Sequence, residues 1–209
     1  MGPEPIHIAI LAGGQSRRMG RDKALLTLDG QTLIERVLAA ARPLDWPTFI
    51  VGDPTSYAHL GPPVYPDHHP DLGPIGGLFT ALELASGPVL LLACDLPFLT
   101  PDFLRYLISR RSPHQAIVPS TADGSQPLCA LYEPSCFVVV AAAIDAKQMS
   151  MRGVLAKLSV DEIGEEDEEP EEEKGERETN GNERAGYRKE KEERLVGGRS
   201  DSRERSRNP

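Results

Sequence analysis

Cysteine, long apolar runs and an export signal are all scarce or missing in this sequence, and each absence excludes a class of protein. The 209 residues contain three cysteines, Cys94, Cys129 and Cys136, an odd number without metal-ligand spacing, which favours reduced thiols over disulfides or a zinc site. The longest uninterrupted apolar run, 137–144, is far shorter than the roughly 18 residues that a membrane span needs. No charged leader precedes an apolar segment at the N-terminus. These absences predict a cytoplasmic protein with no membrane partner.

The sequence also lacks an excess of basic residues. Of its net charge of −9, residues 161–209 carry −7, since they hold 18 of the 32 acids and 11 of the 23 bases. Such a balance offers no basic face for a nucleic acid, so we expect no nucleic-acid partner. The same segment has almost no large apolar residues, so burial cannot offset its conformational entropy. We therefore predict one ordered domain over residues 1–163 and a disordered, charged C-terminal tail over residues 164–209.

Apolar strands alternate with amphipathic helices through the first 163 residues. The runs 6–10, 48–51 and 88–95 predict strands, and the last is apolar enough to lie at the centre of a sheet. Between the first two, Thr32 and Glu35 predict a capping box that begins a helix over 33–41. A strand, a helix and a strand in this order begin a right-handed parallel crossover. The pattern predicts an α/β fold with a mostly parallel central sheet.

A glycine-rich and basic stretch follows the first predicted strand. It reads Leu11-Ala12-Gly13-Gly14-Gln15-Ser16-Arg17-Arg18-Met19-Gly20-Arg21-Asp22-Lys23. Glycine lets the backbone approach an anion, successive amide groups can form a nest around it, and four basic side chains add positive charge. The spacing of the glycines matches neither a P-loop nor a dinucleotide fingerprint. The stretch nevertheless predicts a site for a nucleotide phosphate.

Carboxylates follow two other predicted strands. Asp95 ends the run 88–95, and Asp67 follows a short strand that begins at Val64. Ligands of open α/β sheets bind beyond the carboxyl ends of the strands, so Asp95 should face the basic stretch and hold Mg²⁺ on the phosphates. The alternative is that Asp95 only caps the turn that follows it. Between Asp67 and Asp95, residues 73–77 predict the start of a helix whose first amide groups could receive an anion or a base edge. The adjacent His68 and His69 favour a solvated loop over a metal site, because no third ligand is suitably spaced.

These motifs together resemble the molybdenum cofactor guanylyltransferases, a family of nucleotidyltransferases. The resemblance covers residues 8–163 and rests on Leu-Ala-Gly-Gly-x-x-x-Arg-Met-Gly-x-x-Lys at 11–23, Pro66-Asp67, Gly73-Pro74-Ile75-Gly76-Gly77, Cys94-Asp95-Leu96-Pro97, Asp123-Gly124 and 127–132. It implies a three-layer, Rossmann-like α/β nucleotidyltransferase fold. It also implies Mg²⁺-dependent transfer of GMP from GTP to the terminal phosphate of molybdopterin, with release of pyrophosphate.

The resemblance also implies a role for individual residues. Leu11, Ala12 and Gly13 would hold the guanine and ribose side of the nucleotide, and the amides of the loop from Gly14 onward would receive the leaving phosphates. Lys23 would hold the phosphates, and the positive charge of Arg17 or Arg18, an inference from charge and not from the resemblance, would help to neutralise them. Asp67 would contact the nucleotide, and Asp95 would hold both nucleotide and metal. GTP, molybdopterin and other proteins of molybdenum cofactor biosynthesis are the implied partners.

The chain departs from the family pattern at two places, which keeps other functions open. Gly52 stands where the family often has Asn, and nothing after Ile163 matches the Asn-x-Asn-Thr-Pro segment that lines the pterin side in the family. The alternatives are a cytidylyltransferase acting on the same pterin, a sugar-phosphate nucleotidyltransferase, and a non-catalytic nucleotide-binding or interaction protein with an incomplete pterin side.

Overall fold

A computed structural model describes residues 4–13 and 22–164 of the chain. The strands are β1 (His7–Ala12), β2 (Thr27–Leu28), β3 (Gln31–Thr32), β4 (Thr48–Gly52), β5 (Val64–Tyr65), β6 (Val89–Ala93), β7 (Ala116–Thr121), β8 (Gly124–Ser125), β9 (Cys129–Tyr132) and β10 (Val160–Ile163). The helices are α1 (Leu33–Ala41), α2 (Pro54–Tyr57), α3 (Pro74–Leu84), α4 (Pro101–Ser109), α5 (Cys136–Asp145) and α6 (Met151–Leu155). No helix within the described ranges is long and apolar enough to cross a membrane.

One mostly parallel sheet organises these elements. Its strand order is β10-β7-β9-β6-β1-β4-β5, and β8 pairs only with β7. The pairs β1–β4, β1–β6, β4–β5 and β7–β10 are parallel, whereas β9 runs antiparallel to both of its neighbours, β6 and β7. The predicted α/β class and mostly parallel sheet are confirmed. The hairpin β2–β3 stands outside this sheet, and Asp29 and Gly30 connect its strands with positive φ at both residues.

Helices cover both faces of the sheet because its strands are apolar on both sides. Along β1, Ile8 and Ile10 face a core completed by α1 and α4, while Ala9 and Leu11 face a second core completed by α3, α5 and α6. This alternation is the two-residue period of a strand. The expected three-layer arrangement is therefore confirmed. The boundary proposed at residues 163 and 164 stays a prediction, since residues 165–209 lie outside the described residues.

Parallel pairing brings the ends of several strands to the same edge of the sheet. The register pairs Ala12 with Gly52 at the end of β4, and Leu11 with Ala93 at the end of β6. Strand β5 ends beside β4, since Tyr65 pairs with Val51. We call this the carboxyl edge. The residues that follow β1, β4, β5 and β6 all emerge there, which is where ligands of open α/β sheets bind.

Candidate functional site

The carboxyl edge brings the end of the first strand and Asp95 together, as the sequence predicts. The Cys94 amide donates a hydrogen bond to the Leu11 carbonyl, with an N···O distance of 3.1 Å. This bond continues the β1–β6 pairing by one residue, so Asp95 emerges beside the end of β1. Leu11 and Ala12 are buried, whereas Gly13 is exposed. The first strand thus contributes its backbone to the site, and its side chains anchor that backbone in the core.

Lys23 and Asp95 present their charges to solvent. Both side chains are exposed, and within the described residues neither makes a hydrogen bond or an ion pair. Lys23 opens a 3₁₀ turn that ends at Leu25, and Asp22 caps this turn by accepting a hydrogen bond from the Ala24 amide at 3.0 Å. The two opposite charges are therefore available to an anionic ligand and its counter-ion.

The charges of Asp95, Asp22 and Lys23 all act on the half-buried thiol of Cys94. Burial raises the pKa of Cys94 to about 12, the carboxylates of Asp95 and Asp22 act in the same direction, and Lys23 acts against them. A thiol with this pKa is neutral at physiological pH and is a poor nucleophile. Cys94 therefore contributes to packing at the site and supplies no charge.

Tyr57 and Asp22 form a contact that sequence reasoning missed. Tyr57 ends the short helix α2 and is buried, and its hydroxyl donates a hydrogen bond to the Asp22 carboxylate. Burial raises the pKa of Tyr57, and the hydrogen bond to Asp22 raises it further. The only sequence signal for α2 is Asp53-Pro54, a helix cap followed by a proline at the first position, because four residues are too few for a periodic pattern.

Gly52, the first departure from the family pattern, has a steric explanation in this chain. A Cβ at Gly52 would lie 2.2 Å from the Ala12 carbonyl oxygen and 2.9 Å from the Tyr57 ring. The Ala12 carbonyl is backbone and cannot yield to such a contact, so no side chain fits at Gly52 unless β1 or β4 shifts. The space that an Asn side chain would need is taken up by the backbone of β1 and by the Tyr57 ring.

Asp67, the second predicted carboxylate, is held in place by its own loop and by α3. Its Oδ1 accepts hydrogen bonds from the His69 amide at 2.9 Å and from the Thr80 hydroxyl at 3.1 Å. Thr80 is fully buried, and its Oγ1 also accepts a bond from the His68 amide at 3.0 Å. Sequence reasoning gave Thr80 no role. The half-buried Asp67 therefore reaches the carboxyl edge in a fixed orientation, two residues beyond β5.

The glycines at the start of α3 allow two close contacts. A Cβ at Gly76 would lie 2.2 Å from the His69 carbonyl oxygen, and one at Gly77 would lie 2.8 Å from the Leu11 side chain. The helix can thus pack directly on the Asp67 loop and on the end of β1. The amides of Gly76 and Gly77 donate to the Gly73 carbonyl, so the docking of an anion at this helix start stays a prediction.

The two adjacent histidines have partners other than a metal ion. His68 Nδ1 lies 2.6 Å from Glu83, and the ring of His69 packs edge-on against Phe79 at 4.8 Å between centroids. Across residues 4–13 and 22–164, no group of three or more His, Cys, Asp or Glu residues could hold a metal ion. A cation at Asp95 would therefore need ligand atoms from the nucleotide or from water.

Part of the predicted site lies outside the described residues. This holds for Gly14, Arg17 and the rest of 14–21, and for the tail from residue 165 onward. The predicted roles of Gly14, Arg17 and Arg18 in binding phosphate therefore stay predictions. Of the predicted site residues that are described, all lie at or next to the carboxyl edge, namely Leu11, Ala12, Gly13, Lys23, Asp67 and Asp95.

The comparison with known families agrees with this geometry. A family model described as a MobA-like NTP transferase domain matches residues 8–163. The chain belongs to this family. The resemblance drawn from the motifs is confirmed, and so, at the level of the family, is the expected enzyme class, a nucleotidyltransferase.

Curated relatives of the chain carry related names. A probable molybdenum cofactor guanylyltransferase from Clostridium perfringens is 36% identical over 130 residues, which cover 61% of this chain and 66% of that protein. Another from Pelotomaculum thermopropionicum is 32% identical over 159 residues, covering 75% of this chain and 78% of that protein. The aligned part of the chain thus spans about two thirds of the length of the first relative and more of the second.

A solved structure shows the same fold. The crystal structure of molybdopterin-guanine dinucleotide biosynthesis protein A from Archaeoglobus fulgidus superposes with a TM-score of 0.66 at 29% sequence identity. The superposition covers 77% of this chain and 84% of that one. The three-layer nucleotidyltransferase fold is confirmed by this neighbour.

Proposed function

We propose that this chain transfers GMP from GTP to the terminal phosphate of molybdopterin, releasing pyrophosphate, in the biosynthesis of molybdenum cofactor. The observation that carries the proposal is the placement of Leu11–Gly13, Lys23 and Asp95 at one edge of the sheet, beside Cys94 and the end of β1. Those are the positions that carry the resemblance to guanylyltransferases. The names of the relatives support the choice of GTP and of the pterin acceptor.

The base and ribose would bind where β1 ends. Gly13 is exposed, and apart from its chain neighbours the only atom of the described residues within 4 Å of a Cβ built there is the Gly52 Cα, at 3.9 Å, so the described part of the chain leaves room for a ligand at its backbone. Asp67, fixed by the His69 amide and the Thr80 hydroxyl, would contact the nucleotide from the loop after β5. Both contributions use groups that the core already holds rigid, and rigid groups lose little entropy on binding.

The donor set at Asp95 fits a hard divalent cation. Its carboxylate is exposed and, within the described residues, engaged by no hydrogen bond. Mg²⁺ prefers oxygen ligands and is commonly held by one or two carboxylates together with substrate phosphates. When bound, Mg²⁺ would neutralise negative charge on the phosphates. We therefore assign the metal role to Asp95.

The reaction itself needs alignment and charge neutralisation. The pterin phosphate oxygen attacks the α-phosphorus of GTP in line, a new P–O bond forms, and the bond to pyrophosphate breaks. A phosphoryl transfer of this kind requires little covalent chemistry from the protein. The Lys23 ammonium would neutralise the charge that develops on the phosphates, and Arg17 or Arg18 would assist. No side-chain nucleophile is needed, in keeping with the neutral Cys94 thiol.

Thermal unfolding with different nucleotides tests the choice of substrate. The protein is mixed with Mg²⁺ and with GTP, CTP, ATP or UTP at matched concentrations. A nucleotide at 100 times its Kd should add about 2.7 kcal/mol to the free energy of unfolding. We expect the largest shift with GTP. An equal or larger shift with CTP would favour the cytidylyltransferase, and binding of GTP without any transfer to molybdopterin would favour a non-catalytic nucleotide-binding protein.

Single substitutions test the two charges. Asp95→Ala should abolish Mg²⁺-dependent transfer, and Lys23→Ala should lower its rate by a factor on the order of 10² to 10³, the usual loss for one preorganised stabilising group. Asp45→Asn and Lys157→Ala are matched controls, because both residues are exposed and lie near the opposite edge of the sheet, before β4 and β10 begin. Near-normal transfer by Asp95→Ala would contradict the metal assignment.

Two further parts of the proposal rest on the sequence and the relatives alone. The cytoplasmic location expected from the sequence stays a prediction. Contacts with other proteins of molybdenum cofactor biosynthesis are proposed only because the relatives carry guanylyltransferase names.

A further inference from the structure

Tyr57 is a buried ionisable side chain that the proposed mechanism does not use. Only 2% of its surface is exposed, and its hydroxyl donates a hydrogen bond to the Asp22 carboxylate. The two residues lie 35 positions apart in the chain. The contact therefore joins two segments of the carboxyl edge, the one after β4 and the one before Lys23.

The Asp22 carboxylate ties this contact to Lys23. One oxygen, Oδ2, accepts from the Tyr57 hydroxyl, and the other, Oδ1, accepts from the Ala24 amide at 3.0 Å. The second bond caps the 3₁₀ turn that Lys23 opens. Because both oxygens are engaged, the carboxylate cannot rotate freely, and the backbone on either side of Lys23 is fixed relative to Tyr57.

Tyr57 is itself anchored without help from the 11–23 stretch. Asp53 caps α2 by accepting bonds from the Thr55 amide at 3.0 Å and from the Ser56 hydroxyl at 2.9 Å. Gly52 leaves room for the ring, since a Cβ there would lie 2.9 Å from it. The sheet and α2 therefore provide a fixed point to which the end of the basic stretch is attached.

We propose that Tyr57 is a positioning residue for the nucleotide phosphates, acting through Asp22 to hold the Lys23 ammonium where the charge develops. This inference rests on the proposed function, because it assigns Lys23 a role in transfer. Tyr57 touches no substrate. Through Asp22 it fixes the backbone from which the long, exposed side chain of Lys23 starts.

Tyr57→Phe tests this with the loss of a single oxygen atom. The ring still fills the space above Gly52, so packing is retained, while Asp22 loses one partner. We expect kcat/KM for GTP to fall by a factor on the order of 10 to 100, the usual consequence of a small misplacement of a catalytic group. Tyr132→Phe is the matched control, because Tyr132 is also buried and its hydroxyl also donates one hydrogen bond, to the Pro127 carbonyl at 2.8 Å.

A double-mutant cycle with Lys23→Ala separates positioning from a merely structural role. If Tyr57 acts through Lys23, Tyr57→Phe has little further effect on kcat/KM once Lys23 is Ala. An equal loss of kcat/KM in both backgrounds would overturn the inference. Asp22→Asn is the second variant if Tyr57→Phe does not fold, since it keeps the size of the side chain and weakens the charged acceptor, and the same non-additivity with Lys23→Ala is expected.

The outcomes distinguish this inference from the proposed function. Wild-type protein that neither binds GTP nor transfers GMP overturns the proposed function and this inference with it. Wild-type protein that transfers GMP at a rate unchanged by Tyr57→Phe overturns this inference alone. A fall in kcat/KM that disappears in the Lys23→Ala background, while Tyr132→Phe has no such effect, supports both.

Discussion

Thr80 illustrates how one buried hydroxyl can determine the orientation of a residue at the site. Its Oγ1 receives a hydrogen bond from the His68 amide and donates one to Asp67, so it joins α3 to the loop after β5. Burying a hydroxyl is costly unless it is hydrogen-bonded, and Thr80 fills both its donor and its acceptor role. The contact therefore fixes the Asp67 carboxylate and the loop backbone together.

Thr80→Val should weaken nucleotide binding by loosening Asp67. Valine has nearly the same shape, so the core is preserved, but the Asp67 and His68 groups each lose a partner. We expect the Kd for GTP to rise on the order of tenfold and the free energy of unfolding to fall by about 1 kcal/mol. Isothermal titration calorimetry and urea unfolding measure the two effects.

Thr48→Val provides the comparison for that substitution. Thr48 lies at the start of β4, and its hydroxyl donates to the Trp46 carbonyl at 2.9 Å, away from the carboxyl edge. Thr48→Val should lower the free energy of unfolding by an amount similar to that of Thr80→Val and leave the Kd for GTP unchanged. Equal changes in affinity for the two variants would show that Thr80 acts only through general stability.

Residues of the site differ in how far the sequence predicts them. Asp67 and Asp95 can be predicted because each follows an apolar run, and the ends of parallel strands meet at one edge. Thr80 and Tyr57 cannot, because their partners lie 13 and 35 residues away in the chain and no local pattern marks the contact. The residues proposed to bind are thus visible in the sequence, while those that orient them emerge only from packing.

At the scale of the element, α1 begins as its sequence predicts. The Glu35 amide donates to the Thr32 hydroxyl at 3.3 Å, and the Thr32 amide donates to the Glu35 carboxylate at 2.7 Å, which completes a capping box. The hydroxyl of Thr32 also donates to that carboxylate at 2.7 Å. These bonds, from the side chain first and the backbone second, lower the pKa of Glu35.

The contribution of this cap should therefore depend on pH. Because the pKa of Glu35 is lowered in the folded protein, its contribution to stability is present above the unfolded value of about 4.3 and is lost as the pH falls through the folded value. Thr32→Ala should destabilise the protein more at pH 7 than at strongly acidic pH. Denaturant unfolding of wild type and variant across this range measures the difference.

Thr100→Ala is the control for the pH dependence. Thr100 caps α4 by accepting from the Phe103 amide at 3.2 Å, and the residue at the third helical position is Phe103 instead of an acid. Thr100→Ala should lower the free energy of unfolding by about 1 kcal/mol, the typical value for such a substitution, at every pH. A Thr32→Ala effect that is as constant with pH as that of Thr100→Ala would contradict the role of Glu35.

Other elements show where sequence patterns stop being informative. Helix α2 has four residues, too few for a helical period, and sequence reasoning missed it. The glycines of α3 suggested an open helix start, yet Gly76 and Gly77 serve close packing against His69 and Leu11. A glycine has no side chain to show which use it has, so only the neighbouring atoms decide.

At the scale of the whole molecule, the sheet contains a reversal that periodicity does not reveal. Strand β9 lies between β6 and β7 and runs antiparallel to both. All three strands are buried, and an apolar run buried on both faces looks the same in either direction. The class of fold could therefore be predicted from the alternation of elements, but the order of the strands could not.

The last prediction concerns which part of the chain binds the nucleotide and whether the tail contributes to binding the pterin acceptor. Every described residue assigned to the nucleotide, from Leu11 to Asp95, lies before residue 96, on β1 to β6 and their loops. The match to the family model covers residues 8–163, and the sequence predicts that residues 165–209 supply neither the missing pterin-side segment nor a packed element. A chain ending at Gly164 should therefore show the same thermal shift with GTP and Mg²⁺ as the full chain. Transfer to molybdopterin should be weak in both, and hydrogen exchange should show no protection in the tail of the full chain. Brisk transfer that disappears on truncation, or strong protection in the tail, would show that it completes the acceptor side.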